Sequence, residues 1–226
     1  MNFLLEVCCG NLDSVHAAVA GGAPRIELCS RLDLDGLTPA WEDLRTARAL
    51  YPQLRIHILI RPRAGDFHYS DDEVNAMVRD IHTALELGAD GVVAGALTVQ
   101  GAVDVAAMKK LLAAAAGRPF TFHRAFDACR DPFEALDVIM ELRCHRILTS
   151  GQAPSAAEGA ALLKELQLRA GTRLTILPGG GVTPENANGI LQETGCRELH
   201  ASASVTLPDG RKVTSADKVA AICQII

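Results

Sequence analysis

The chain has 226 residues, 49% hydrophobic and 22% charged, with 22 Lys+Arg against 27 Asp+Glu for a formal net charge of −5. This composition excludes a disordered or collagen-like chain, and it lacks the excess of cations that binding to nucleic acid or an anionic membrane requires. A chain of this length forms two small domains or one α/β barrel, and either buries enough surface to fold without a disulfide or metal staple.

The seven cysteines, Cys8, Cys9, Cys29, Cys129, Cys144, Cys196 and Cys223, are odd in number and have no framework spacing, which predicts reduced thiols in a cytoplasm. The start, Met1 to Val7, has no basic region and meets Glu6 before an apolar stretch forms, so no signal peptide is expected. No apolar run approaches the ~18 residues of a membrane span.

Short apolar runs alternate with helical patterns from end to end. A strand over 3–8 precedes a helix over 12–20, and a strand over 25–29 precedes a helix over 39–50, with Thr38 as N-cap and Pro39 at the first helical position. The β-branched run 56–60 leads to a helix opened by Ser70-Asp71-Asp72-Glu73 and running to about Leu87, with Gly88 at its end. Strands are then predicted over 91–94, 120–124, 146–148, 173–177 and 198–201. Helices are predicted over 104–115, 132–142, 155–168 and 184–193, with a last short one near 216–225. Eight strand–helix units of about 28 residues match a (β/α)8 TIM barrel in a single domain. An open doubly wound sheet is the competitor, but Cys9-Gly10-Asn11 after the first strand has one glycine where that fold places a Gly-x-Gly-x-x-Gly turn.

In such a barrel the strand C-termini form the functional face. Strand one ends Glu6-Val7-Cys8 and strand two Glu27-Leu28-Cys29, and the period of two puts each glutamate on one face with its cysteine. Arg61 and Arg63 follow strand three, His123, Arg124 and Asp127 end strand five, and His200 ends strand eight. Glu6 and Glu27 then supply acid–base chemistry with His123 and His200, or form structural ion pairs with arginines such as Arg61 or Arg124. Pro178-Gly179-Gly180-Gly181 after strand seven, Ser202 after strand eight and Ser150-Gly151 after strand six read as an anion-binding rim or as plain tight turns.

Together these segments, with Gly36-Leu37-Thr38-Pro39, residues 60–67 and Tyr69-Ser70-Asp71, resemble the CutC family of copper homeostasis proteins from residue 3 to about 204. The resemblance implies a cytoplasmic (β/α)8 barrel, a homodimer, and copper handling through cysteines at the positions of Cys8 and Cys29. Cys9 departs from the family pattern, and the stretch after Ser204 matches least.

Three functions stay open. Thiolates favour Cu(I), and two of them on neighbouring strands can form a copper site, although cysteine is also a common small core residue. The alternative is an enzyme acting on a small anionic or phosphorylated substrate, with Glu6, Glu27, His123 and His200 as acid and base. Arg61, Arg63 and Arg124 would then stabilise negative charge, and the glycines with Ser202 would hold the anion. The third is a binding or regulatory barrel that keeps the anion site without turnover. No organic cofactor is expected.

Overall fold

A computed structural model describes residues 3–207 and 212–225. Its strands are β1 (Leu4–Cys9), β2 (Arg25–Leu28), β3 (Arg55–Leu59), β4 (Gly91–Ala94), β5 (Phe120–Phe122), β6 (Arg146–Thr149), β7 (Thr175–Pro178) and β8 (Glu198–Ala201). They alternate with α1 (Leu12–Ala20), α2 (Trp41–Leu50), α3 (Asp71–Glu86), α4 (Val105–Ala114), α5 (Pro132–Glu141), α6 (Ala160–Ala170), α7 (Ala187–Thr194) and α8 (Ala216–Ile225). Neighbouring strands pair in parallel and in sequence order, β8 also pairs with β1, and a bridge between Gly179 and His200 joins β7 to β8. The result is the expected (β/α)8 barrel. No helix among the described residues is long and apolar enough to cross a membrane.

The outward residues of the strands are apolar and pack under the helices: Val7 and Cys9 on β1, Ile26 and Leu28 on β2, Ile56 and Ile58 on β3. The inward residues fall into stacked layers, because a tilted, sheared barrel brings alternate strands to the same height. Glu6 stands in register with Arg25 and with His200, and Cys8 with Glu27, while Cys29 lies one inward step further toward the mouth. Cys8, Cys29, Leu59 and Val93 form an apolar cluster of their own inside this stack.

The late starts of α2 and α6 follow from long-range contacts, and that of α7 from a local one. Helix α2 begins at Trp41 without a side-chain cap, since the Thr38 hydroxyl accepts the N–H of Arg61 at 2.9 Å instead of capping the helix. Helix α6 begins at Ala160, five residues later than expected. Gly159 lies so close to the backbone of Ser150 that a Cβ there would stand 1.9 Å from its carbonyl oxygen, and Ala156 donates to the Gly180 carbonyl. These contacts hold residues 155–159 as turns against the barrel mouth. Asn186 closes a similar turn before α7, accepting from the Thr183 N–H and donating to the Gly181 carbonyl at 2.8 Å. A short antiparallel hairpin, β9 (Ser204–Thr206) with β10 (Lys212–Thr214), precedes α8 and has no counterpart in the expected pattern.

Candidate functional site

The β1–β2 register sets the site. Glu6 pairs with Arg25 and Cys8 with Glu27, so the two Glu-x-Cys pairs both face inward but stand one layer apart. Cys8 is therefore level with Glu27, its Sγ 3.6 Å from Glu27 Oε1 and 3.6 Å from Cys29 Sγ. Ligand atoms of Cys8, Glu27 and His200, all buried, lie within 4.8 Å of one another. The cysteine beside it in sequence has no part in this, because Cys9 alternates to the opposite face and packs in the core between sheet and helices.

Below the cysteines lies a charged network. Arg25 Nε donates to Glu6 Oε2 at 2.6 Å, Arg25 also pairs with Glu198, and Arg146 Nε reaches Glu198 at 2.9 Å. Glu6, wholly buried, thus pairs with Arg25 and with neither Arg61 nor Arg124. Its other oxygen faces His200 Nδ1 at 2.9 Å, while His57 Nδ1 lies 3.3 Å from Oε2. Burial opposes its ionisation, yet Arg25 and the two imidazoles hold its carboxyl well below the usual range. Among the described residues, Glu27 has no guanidinium against it. Burial pushes its carboxyl up to about 7, against the pull of His200, and its Oε2 has no hydrogen-bond partner. For His200, burial works against the charged form, but Cys8, Glu27 and Glu6 raise it well above the ordinary histidine value. The Cys8 thiol is raised by its contact with Cys29 and by burial.

The other expected residues divide between this interior and the rim. His123 is inside, at the end of β5, with Nδ1 accepting the Ala125 N–H at 3.2 Å. Arg61 is buried but turned into the loops, donating to the carbonyls of Leu34, Gly36 and Gly65 and covered by the Phe67 ring at 5.0 Å. Arg63 is tied to Glu73, Asp66 and the His68 carbonyl at the start of α3. Neither joins the cluster around Cys8. Asp127 accepts from Arg124, from the Thr149 hydroxyl, from Ser150 and from the Gln152 N–H, which makes it the anchor of the loop after β6.

At the rim, Gly151 donates its N–H to the Thr149 hydroxyl and Gly179 to the Thr149 carbonyl, so both are already engaged. Gly180 and Gly181, with φ of +95° and +72°, have N–H groups without a partner among the described residues. The Arg124 guanidinium lies over Gly180, where a Cβ would stand 3.7 Å from Cζ and 3.3 Å from the Ser150 Cβ. Ser202 is exposed beside Ser204, with 3.3 Å between their hydroxyls.

Sequence reasoning did not single out Arg25, His57, Arg146 and Glu198. The signal was present: Arg25 stands two residues before Glu27, and Glu198 two before His200, so the same inward period extended one step down each strand reaches them.

The fold and this interior define a TIM-barrel protein with a buried Cys/Glu/His cluster at the C-terminal end of its strands. A family model for the CutC family matches residues 3–205, and the chain belongs to that family. A family protein CutC of Bacteroides fragilis is 49% identical over 209 residues, covering 92% of this chain and 83% of its own. The solved CutC structure from Streptococcus agalactiae, whose role was proposed as copper homeostasis, is 35% identical with a TM-score of 0.84, over 88% of this chain and 98% of that one. A thiamine phosphate pyrophosphorylase from Pyrococcus furiosus, 17% identical over 99% of this chain and 95% of its own with a TM-score of 0.66, shares the fold alone.

Proposed function

We propose that the protein takes part in copper homeostasis by binding Cu(I) through the thiolates of Cys8 and Cys29. The observation behind this reading is the 3.6 Å approach of the two sulfurs inside a barrel otherwise closed around them. Soft thiolates favour Cu(I), and His200 and Glu27 stand beside Cys8 as further donors. Both thiols must lose their protons on binding, so affinity rises with pH. The seven free cysteines, six of them buried, fit a reducing cytoplasm, and the family likeness supports a homodimer.

The test is an anaerobic competition between the protein and a Cu(I) chelator. The parent is expected to bind one equivalent, Cys9→Ser to match it, and the Cys8→Ser/Cys29→Ser double variant to bind none. An unchanged stoichiometry in the double variant overturns the two-thiol site.

A second reading has its own support. Glu27 Oε2 and His123 Nε2 are buried without partners, and the rim offers Arg124 and the Gly180 and Gly181 N–H groups, the features of a barrel that receives a small anionic molecule. A phosphorylated metabolite that copurifies and is turned over makes this an enzyme; one that is held unchanged makes it a binding protein.

A further inference from the structure

His123 holds a donor for which the protein provides no acceptor. Its Nδ1 accepts the N–H of Ala125, which belongs to the 3-10 turn Arg124–Ala128, so the proton of the neutral ring is on Nε2. That nitrogen, at the far end of a side chain 4% exposed, has no partner. The ring cannot turn away easily. Phe67 packs on it at 5.0 Å, and Gly95 lies so close that a Cβ there would stand 2.8 Å from Nδ1. Burial and the charge of Arg61 push the imidazole down to about 3, so it is neutral at physiological pH. A neutral imidazole with its proton fixed on Nε2 is suited to hydrogen-bonding an sp² oxygen without giving up the proton.

The strand ends beside it carry further unpaired donors. Arg124, the next residue, is tied to Asp127 at 2.8 Å through Nε and to Ser150 at 3.1 Å through Nη2, and its Nη1 has no partner among the described residues. That guanidinium lies over Gly180, whose N–H is free together with that of Gly181. The ends of β5 and β7 are two strand spacings apart, about 10 Å, which a three-carbon phosphate spans with a hydrogen bond at each end.

We infer, building on the second reading above, that the barrel mouth receives a small phosphorylated compound bearing a carbonyl or carboxylate oxygen. Its phosphate rests on Arg124 and the N–H groups of Gly180 and Gly181, and its oxygen accepts from His123 Nε2. His123 thereby recognises the unphosphorylated end of the ligand.

Calorimetry with four probes tests this: inorganic phosphate, glycerol 3-phosphate, dihydroxyacetone phosphate and 3-phosphoglycerate. In the parent, the ketone or the carboxylate compound is expected to bind about tenfold more tightly than glycerol 3-phosphate, the effect of one well-placed hydrogen bond. Preference for the ketone identifies a carbonyl ligand, and preference for the acid a carboxylate. His123→Asn keeps an acceptor for the Ala125 N–H but lacks the distal donor, and should bind all three organic phosphates alike. His123→Gln places an amide N–H near the position of Nε2 and should retain part of the preference, with circular dichroism confirming that both variants fold. Phosphate binding without any preference in the parent, or a preference that survives in His123→Asn, overturns the inference and leaves the anion reading standing. Failure of the parent to bind any of the four overturns both.

Discussion

Glu6 and Glu27 are the same side chain, both buried on neighbouring strands, yet the carboxyl of one is shifted down and that of the other up. The difference is Arg25, which stands against Glu6 at 2.6 Å while Glu27 faces a thiol. Removing that cation leaves the buried Glu6 with only the two imidazoles against it, while Glu198 keeps Arg146, so Arg25→Ala is expected to cost about 3–5 kcal/mol in urea unfolding. The pH dependence follows from the signs. Glu6 and Glu198 are held below their unfolded values, so their contribution is full above the unfolded carboxylate range and lost as pH falls through the folded values. Glu27, raised to about 7, binds its proton more tightly in the folded chain, and its contribution falls as pH rises from the unfolded carboxylate value of about 4.3 towards 7. Comparing unfolding midpoints of the parent and Glu27→Gln across that window should show the parent losing stability relative to the variant as pH rises; parallel curves would refute the assignment.

At the scale of elements, local sequence decides best where the chemistry is local. Helix α3 begins at the expected capping box, with Ser70 accepting the Glu73 N–H and Glu73 accepting the Ser70 N–H. Ser70→Ala should therefore cost about 1 kcal/mol, read as a lower thermal midpoint with function unchanged. The starts of α2 and α6 differ from the expected ones because Thr38 and Gly159 answer to partners on other loops, which no local pattern reveals, whereas α7 starts late because Asn186 closes its own loop on Gly181 and Thr183. The loop after β7 has the same dependence. Gly180 has a positive φ and Arg124 against its α-carbon, so Gly180→Val is expected to weaken phosphate binding at least severalfold, and equal affinity by calorimetry would remove this loop from the anion site.

For the whole molecule, closure of the barrel converts residues far apart in sequence into one interior. Glu6 and His200, 2.9 Å apart, are separated by nearly the entire chain and meet because β8 returns to β1. A ligand bound in that interior spans both ends of the fold and should stabilise it as a unit. Cu(I) at a hundred times its dissociation constant adds about 2.7 kcal/mol, or a rise of roughly 5–10 °C in the unfolding midpoint for a domain of this size. The same rise should be absent in the Cys8→Ser/Cys29→Ser variant, measured by anaerobic calorimetry.

The alternation of apolar runs and helical patterns was enough to specify eight strand–helix units, because the hydrophobic period is a local property of each segment. It also put Glu6 on one face with Cys8 and Glu27 on one face with Cys29, and set His123 and His200 at strand ends, since the period of two relates the faces of residues along a strand. Only the tertiary structure decided the register, which sets Cys8 level with Glu27 and one layer below Cys29. It likewise selected Arg25 as the partner of Glu6, turned Arg61 and Arg63 into their loops, and left His123 Nε2 without an acceptor. Those outcomes depend on shear and closure, and both are properties of all eight strands together that no single strand encodes.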